Sequence, residues 1–504
     1  MLTYDLTNGA GPLYARLYQH IKDDIANGVL MRDEKLPSRR ALSENLGIST
    51  VTVDNAYMQL LDEGYIYALP KKGYYVSNIT ELFPANDGRS EQKNVADIPA
   101  KPSAPSRSDA SDSPQNAIRF DFSSNMPDSE SFPFSVWAKL VRNTIADHPD
   151  DLLKVSDYNG VYELRSAIAM HLSSFRGMNV DPSQIVVGAG TEYLYGLIIK
   201  LLGKDKKYCI ENPGYRKIRQ IYEAEGVDCI LGKMDEYGLT PESILKSGAN
   251  IVHISPTHHF PTGITMPISR RIEILKLISA SETGYIIEDD YDSEFRQKGN
   301  PIPPLQSIDS SGRVIYMNTF SKSLASTIRM AYMVLPQELS DKYRDELSFY
   351  SCTVSTFDQY TLAAFIKNGH FEKHINRMRL QYGKRRKAVL DIIKETLPIG
   401  SNTTRQNSST SGSNSNNNFF KIAENDSGLH FILEITSDLS DKEIEDKLLE
   451  DGIRIRAVSD YYMVPNTAPS KVIPPQGRFI IDYSNIDISL LPYALGKLRD
   501  AVNI

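Results

Sequence analysis

The sequence predicts an α/β chain preceded by a small, mainly helical unit, and three observations carry that expectation. Two helical patterns meet at a short glycine-containing turn and are followed by a hairpin signal within the first 80 residues. A proline- and serine-rich tract occupies residues 81–117. From Ala117 onward, strand-like apolar runs alternate with amphipathic helical stretches. The full chain has 504 residues, 41% of them hydrophobic and 24% charged, which is ordinary globular composition. No apolar run approaches the roughly 18 residues needed to span a bilayer, and Asp5 and Asn8 interrupt the start where an export signal needs an apolar core. A protein with no membrane partner is expected. Cys209, Cys229 and Cys352 are too few and too scattered for a disulfide framework or a cysteine-based metal site, so a reducing, cytoplasmic location is expected. The net charge of -7 argues against a uniformly basic nucleic-acid coat and leaves room for one local module.

The first helix follows from Leu13, Leu17, Ile21 and Ile25, which recur every fourth position between Pro12 and Gly28. Ser38 can cap a second helix that closes at Gly47, and Ser49 a third that closes at Gly64. After them YIYAL and GYYVS flank Pro70-Lys71-Lys72-Gly73, a hairpin with a basic tip. Together these elements predict a winged helix-turn-helix over residues 1–80. In such a unit the N-terminus of the second helix of the motif enters the major groove, so Ser49, Thr50 and Thr52 would face base edges and phosphates. Lys35, Arg39 and Arg40, expected at the start of the preceding helix, would contact the DNA backbone, and Lys71 and Lys72 a neighbouring groove. Residues 1–78 hold 8 Lys and Arg against 9 Asp and Glu, so attraction to phosphate depends on how the cations cluster.

The string LPSRRALSENLGISTVTVDNAYMQLLDEGYI, followed by KKGYYV, resembles the GntR-type winged helix of bacterial transcriptional regulators over Pro12 to Val76. Members often carry Arg just after the cap serine, where this chain has Thr50. The resemblance implies a double-stranded DNA operator as partner.

Between the two units, residues 81–117 contain Val95 and Ile98 as their only large aliphatic residues beyond Leu82, too little apolar area to offset ordering entropy. A flexible linker is expected there. Beyond it QIVVGAG, KYCIEN, IVHISP, YIIEDDYD, VIYMNTFSK and AYMVLP read as strands of a mostly parallel sheet, whose ligands bind at the strands' carboxyl ends. The tract 401–418, almost wholly Ser, Thr, Asn and Gly, is expected to be a polar loop inserted in this unit of residues 118–504.

Glu288, Asp289, Asp290, Tyr291 and Asp292 crowd the end of the strand Tyr285 to Ile287, an expensive cluster unless a cation or hydrogen-bonding partner meets it. Thr319, Ser321 and Lys322 follow the strand VIYMN, and Arg329 comes a few residues later. A lysine flanked by hydroxyls, with an arginine nearby, can hold a phosphate while its amine forms a Schiff base. An acid that keeps a pyridine nitrogen protonated would complete a pyridoxal 5'-phosphate site. A surface lysine beside a solvated acidic loop is the alternative that these residues leave open.

IIEDDYDSEFR followed by TFSKSLASTIRMAYMVLP is similar to the type I aminotransferase fold, and most of all to the MocR group, in which such a domain follows a GntR-type reader. The resemblance implies the pyridoxal-phosphate-dependent transferase fold, with a mostly parallel central sheet and a smaller α+β domain. It places the Schiff-base lysine at Lys322 and the acid that meets the ring nitrogen at Asp289, 33 residues earlier, in preference to Asp290. Tyr291 would bond the ring hydroxyl, and Thr319, Ser321 and Arg329 the phosphate. Gly190 and Thr191, opening a helix, would cradle that phosphate. Tyr215 would stack on the ring, and Tyr158 would reach the neighbouring subunit's phosphate pocket, which implies a homodimer. Arg478 in QGRFIIDYS would clamp a ligand carboxylate. SPTHHFPTG departs from the family at Phe260 and His259, so neither His258 nor His259 is given a proton-transfer role, and adjacent histidines on a strand would face opposite sides rather than one metal.

The expected function is a pyridoxal-phosphate-dependent, DNA-binding transcriptional regulator whose large unit senses an amino compound or the cofactor itself. A working aminotransferase with an accessory DNA-binding unit is the alternative.

Overall fold

The computed structural model describes residues 4, 13–26, 29–31, 33–62, 65–69, 72–76, 118–123, 131–295, 303–399, 419–423, 428–464 and 473–502. The linker expected at 81–117, the polar loop at 401–418 and the wing residue Lys71 lie outside them. The chain divides into two compact units, Met1–Asp112 with Pro133–Asp147, and Ser113–Phe132 with His148–Ile504.

In the smaller unit, α1 (Leu13–Ala26) buries Leu17, Ile21 and Ile25 and leaves Leu13 exposed at its start. Helix α2 (Arg39–Leu46) begins where Ser38 Oγ accepts from Ala41 N at 3.2 Å, and ends at Gly47, whose φ of 64° is the left-handed value a glycine takes without strain. Helix α3 (Thr50–Asp62) is capped by Ser49 Oγ, which accepts from Thr52 N at 3.1 Å. Its inner face, Val53, Ala56, Tyr57 and Leu60, closes the core with Leu17, Ile21 and Leu42. Each valine, leucine or isoleucine of this core contributes about 1.5–3 kcal/mol on full burial. Strands β1 (Ile66–Leu69) and β2 (Gly73–Val76) pair antiparallel from Ile66↔Val76 to Leu69↔Gly73, forming the wing. Lys35 joins this wing through a bridge to Tyr75, four residues ahead of α2. The expected place of Lys35 at the helix start is thus corrected: the helix begins only after its Ser38 cap, and the stretch before it is extended.

The larger unit contains β3 (Phe120–Asp121), β4 (Ile185–Gly188), β5 (Lys207–Asn212), β6 (Asp228–Asp235), β7 (Gly238–Leu239), β8 (Ile251–Ile254), β9 (Tyr285–Asp289), β10 (Val314–Thr319) and β11 (Ala331–Val334). Further along come β12 (Phe420–Ala423), β13 (His430–Ile435), β14 (Ile453–Arg454), β15 (Arg456–Ala457) and β16 (Arg478–Asp482). The main sheet has the order β4-β11-β10-β9-β8-β5-β6-β7. Strands β10, β9, β8, β5 and β6 pair parallel, whereas β11 is antiparallel to both β10 and β4. Its strands are apolar on both faces because helices such as Thr191–Leu202 pack over them through Leu194, Ile198 and Ile199. A second sheet, β12-β13-β16-β15, is antiparallel and builds the smaller α+β part of this unit. No helix among the described residues is long and apolar enough to cross a membrane.

Candidate functional site

The carboxyl ends of β5, β8, β9 and β10 and the start of β11 converge on a cavity of about 460 Å³. Asp289, the last residue of β9, is buried in its wall. Its Oδ2 accepts a hydrogen bond from Tyr195 OH at 2.6 Å, and His253 Nε2 stands 3.6 Å away. Its Oδ1 is buried and has no hydrogen-bond partner among the described residues. Behind it Tyr222 OH lies 2.7 Å from His253 Nδ1. Burial raises both Tyr195 and Tyr222 well above the usual phenol range, so both hydroxyls remain donors. The next residue, Asp290, turns away: its Oδ2 meets Arg176 Nη2 at 2.6 Å and accepts from Tyr316 OH at 2.7 Å.

Lys322 lines the same cavity from the short helix Phe320–Ser323. Burial lowers its pKa, and the nearby carboxylates of Asp482 and Asp292 oppose that shift. Thr319 caps the helix, accepting from Ser321 N at 3.1 Å and bonding Ser321 Oγ at 2.9 Å. Arg329, with φ of 52°, brings its guanidinium over Gly190. A Cβ on Gly190 would stand 2.7 Å from Arg329 Nη2, and the φ of 92° there is one that other residues rarely adopt. Thr191 begins the helix behind it and also lines the cavity. Glu192 pairs with Lys217 and lies 3.6 Å from Arg329, so two cations here share one carboxylate and a net positive charge remains. Thr191, Thr319, Ser321, Arg329, Lys322 and Asp289 therefore line one cavity, with Gly190 against the Arg329 guanidinium.

Tyr291 lines the cavity, its hydroxyl 3.2 Å from His258 Nδ1, which lies 2.7 Å from Asp292 Oδ2. Tyr215 lines the rim, half exposed, edge-on to Phe260 at 6.3 Å. Tyr158 is half-buried against Tyr343 at 5.6 Å and is not part of the wall. Arg478 also stands outside the wall, its Nε 3.7 Å from Glu434 Oε1 across the β13–β16 pair. The same strand face gives the cavity Ile480 and Asp482 instead. Burial raises Asp482 to about 6, against the attraction of Lys322, while Ser484 N donates to its Oδ1 at 2.8 Å.

His258 and His259 follow β8 in a loop, not in a strand. His259 Nδ1 lies 2.7 Å from Thr262 Oγ1, and burial depresses its pKa to about 3, so it is neutral. Its Nε2 is 3.6 Å from Glu211, a buried carboxyl raised to about 8 by desolvation. Sequence reasoning passed over Tyr195, Tyr222, His253, Glu211 and Asp482. The only available signal was that His253, Glu211 and Asp482 are polar residues inside otherwise apolar strands.

In the smaller unit, Thr50 is exposed at the start of α3, while the hydroxyls of Ser49 and Thr52 are 2.8 Å apart. Arg39 is paired with Asp54 of α3, both exposed. Arg40 and Lys72 are exposed, and Lys35 Nζ lies 6.0 Å from the Tyr75 ring centroid.

Residues 13–76 match the family of bacterial regulatory proteins of the gntR type, and residues 117–497 match aminotransferase class I and II. The chain is 35% identical to the HTH-type transcriptional regulator YdeL of Bacillus subtilis, over 98% of this chain and 97% of that one. It is 28% identical to the probable rhizopine catabolism regulatory protein MocR of Rhizobium meliloti, over 97% and 94% of the two chains. Among solved structures, the kynurenine aminotransferase of Pyrococcus horikoshii superposes with a TM-score of 0.61 at 22% identity, covering 77% of this chain and 91% of that one.

Proposed function

The chain belongs to the HTH-type transcriptional regulators that join a gntR-family DNA-binding domain to an aminotransferase class I and II domain, and on that premise we propose that it is a cytoplasmic homodimer whose larger unit holds pyridoxal 5'-phosphate and reads an amino compound through it. The observation that carries this reading is Asp289 Oδ1, a buried carboxylate oxygen without a partner among the described residues, in the wall of a cavity that also contains Lys322. A buried acceptor left unpaired costs about 1–3 kcal/mol, and a protonated ring nitrogen would satisfy it. Gly190 supports the same reading, because its missing side chain leaves room for the Arg329 guanidinium.

Lys322 would hold the cofactor's aldehyde carbon, Tyr291 its ring hydroxyl, and Thr191, Thr319, Ser321 and Arg329 its phosphate, with Tyr215 covering the ring from the rim. When bound, the cofactor supplies a carbonyl that exchanges reversibly between amines. Tyr195 and His253 would keep Asp289 oriented, and the lowered pKa of Lys322 leaves more of its amine unprotonated and nucleophilic at neutral pH. An incoming amine that displaces Lys322 would change what the dimer, with Tyr158 reaching its partner, presents to a double-stranded operator. Borohydride reduction followed by peptide mapping tests the central claim, and the adduct is expected on Lys322. A purified protein with neither a cofactor absorption band nor binding to operator DNA would overturn it.

A further inference from the structure

The ligand's own end of the cavity has a charge pattern that the cofactor does not use. With phosphate assigned to the Arg329 end and the ring nitrogen to Asp289, two carboxyl side chains of the wall remain: Glu211 and Asp482, exposed by only 7% and 5%. Glu211 Oε2 accepts from Ser255 N at 2.9 Å, and its Oε1 has no hydrogen-bond partner among the described residues. Ser484 takes Asp482 Oδ1. Lys322, whose charge attracts Asp482, would be taken up by the cofactor in the reading above, and among the described residues of the wall no further cation is left to face the two acids. His259 is neutral, Lys217 is paired with Glu192, and Arg478 lies outside the wall beside Glu434. Apolar side chains, Ile210, Ile480 and Phe260 among them, fill the wall near the two acids. A carboxylate brought here would meet the Asp482 carboxylate at low dielectric, whereas an ammonium would gain a charge-assisted hydrogen bond to Asp482 and would favour ionisation of Glu211 beside it.

We propose that the ligand read at this site is an amine carrying a second cationic group and no carboxylate, an α,ω-diamine being the simplest member, with Asp482 and Glu211 receiving the far ammonium. One amine reacts at the cofactor, the methylene chain lies along the apolar wall, and the second ammonium selects the ligand. This rests on the cofactor reading above, and its test separates the two.

The holoprotein is titrated with putrescine, butylamine and γ-aminobutyrate, which share a four-carbon chain and differ in the far end. Cofactor absorbance and affinity for an operator fragment are followed together. Putrescine is expected to half-saturate at a concentration about tenfold or more below butylamine, with γ-aminobutyrate the weakest. In Asp482→Asn the putrescine advantage over butylamine should shrink to about twofold while the cofactor band persists. That ratio, unlike overall affinity, is not moved by general damage to the site. If Asp482→Asn does not retain cofactor, Glu211→Gln supplies the same ratio. Equal response to putrescine and butylamine, or a stronger response to γ-aminobutyrate, overturns the proposal. A missing cofactor band before any amine is added instead overturns the cofactor reading. The melting temperature of cofactor-free protein then decides this one: putrescine must raise it more than butylamine does.

Discussion

Two arginine–aspartate pairs, one in each unit, show how differently the same chemistry behaves at a surface and in a core. Arg39 and Asp54 meet on the exposed side of α2 and α3, with side chains 49% and 41% exposed. Arg176 and Asp290 meet behind the main sheet at 2.6 Å with side chains 2% and 1% exposed, beside Glu288, Glu294 and Tyr316. An exposed pair contributes about 0–1 kcal/mol and exchanges partners readily, whereas removing one member of a buried pair leaves an unmatched charge costing about 3–5 kcal/mol. The surface pair is therefore suited to a residue that must let go to touch phosphate. Its buried counterpart is suited to fixing the strand end from which Asp289 faces the cavity.

The largest effect expected from breaking this contrast is at Arg176. Arg176→Ala should destabilise the larger unit by about 3–5 kcal/mol, read as a lowered denaturation midpoint, and should weaken cofactor retention through Asp289. An unchanged midpoint would show that Glu288 and Glu294 take up protons and relieve the charge. Burial already raises both of these to about 7.

Next in size is the pH response of Glu211. Its folded pKa, raised to about 8, lies above its unfolded value, so the folded state binds the extra proton. That contribution is fully present below about pH 4.5 and is lost as pH rises through about 8. Relative to Glu211→Gln, the wild type should lose on the order of a few kcal/mol across that window. Parallel stability curves for the two proteins would refute it.

Gly190→Ala should follow, lowering cofactor affinity by about tenfold or more because the new Cβ displaces the Arg329 guanidinium and strains a left-handed backbone. Equilibrium dialysis of the cofactor checks this. Smallest is Asp54→Asn, which should change stability by less than about 1 kcal/mol yet tighten DNA binding by releasing Arg39. A large drop in stability would mean that the pair belongs with the buried class.

The same contrast explains what could be read in advance. The winged helix-turn-helix was legible because its caps, its glycine stop and its hairpin are local, as Ser38, Gly47 and the Ile66↔Val76 register show. That Lys322 and Asp289 line one cavity was legible because each sits at or beside a strand end with its neighbours in sequence. Tyr195 and Tyr222 were not, since they reach Asp289 and His253 across 94 and 31 residues and look like core aromatics in their helices. Arg478 and Asp482 show the same limit inside one strand. They share a face, but the depth of the cavity along β16 decides which of them reaches it, and no local pattern encodes that depth. Lys35, expected with Arg39 and Arg40 at the helix start, lies ahead of it because the cap at Ser38 decides where the helix begins.

Strand β11, the one strand running against both its neighbours in the main sheet, ties two jobs together. Because β10 and β11 are antiparallel, the chain passes from Lys322 to Arg329 within one short connection, the helix Phe320–Ser323 and the 3-10 turn Ser326–Ile328, rather than a long helical crossover. The amine that would grip the aldehyde and the guanidinium that would grip the phosphate are thus carried on one short lever. If the cofactor is held as proposed, release of Lys322 by a ligand and the hold on the phosphate would be reciprocally linked through one loop.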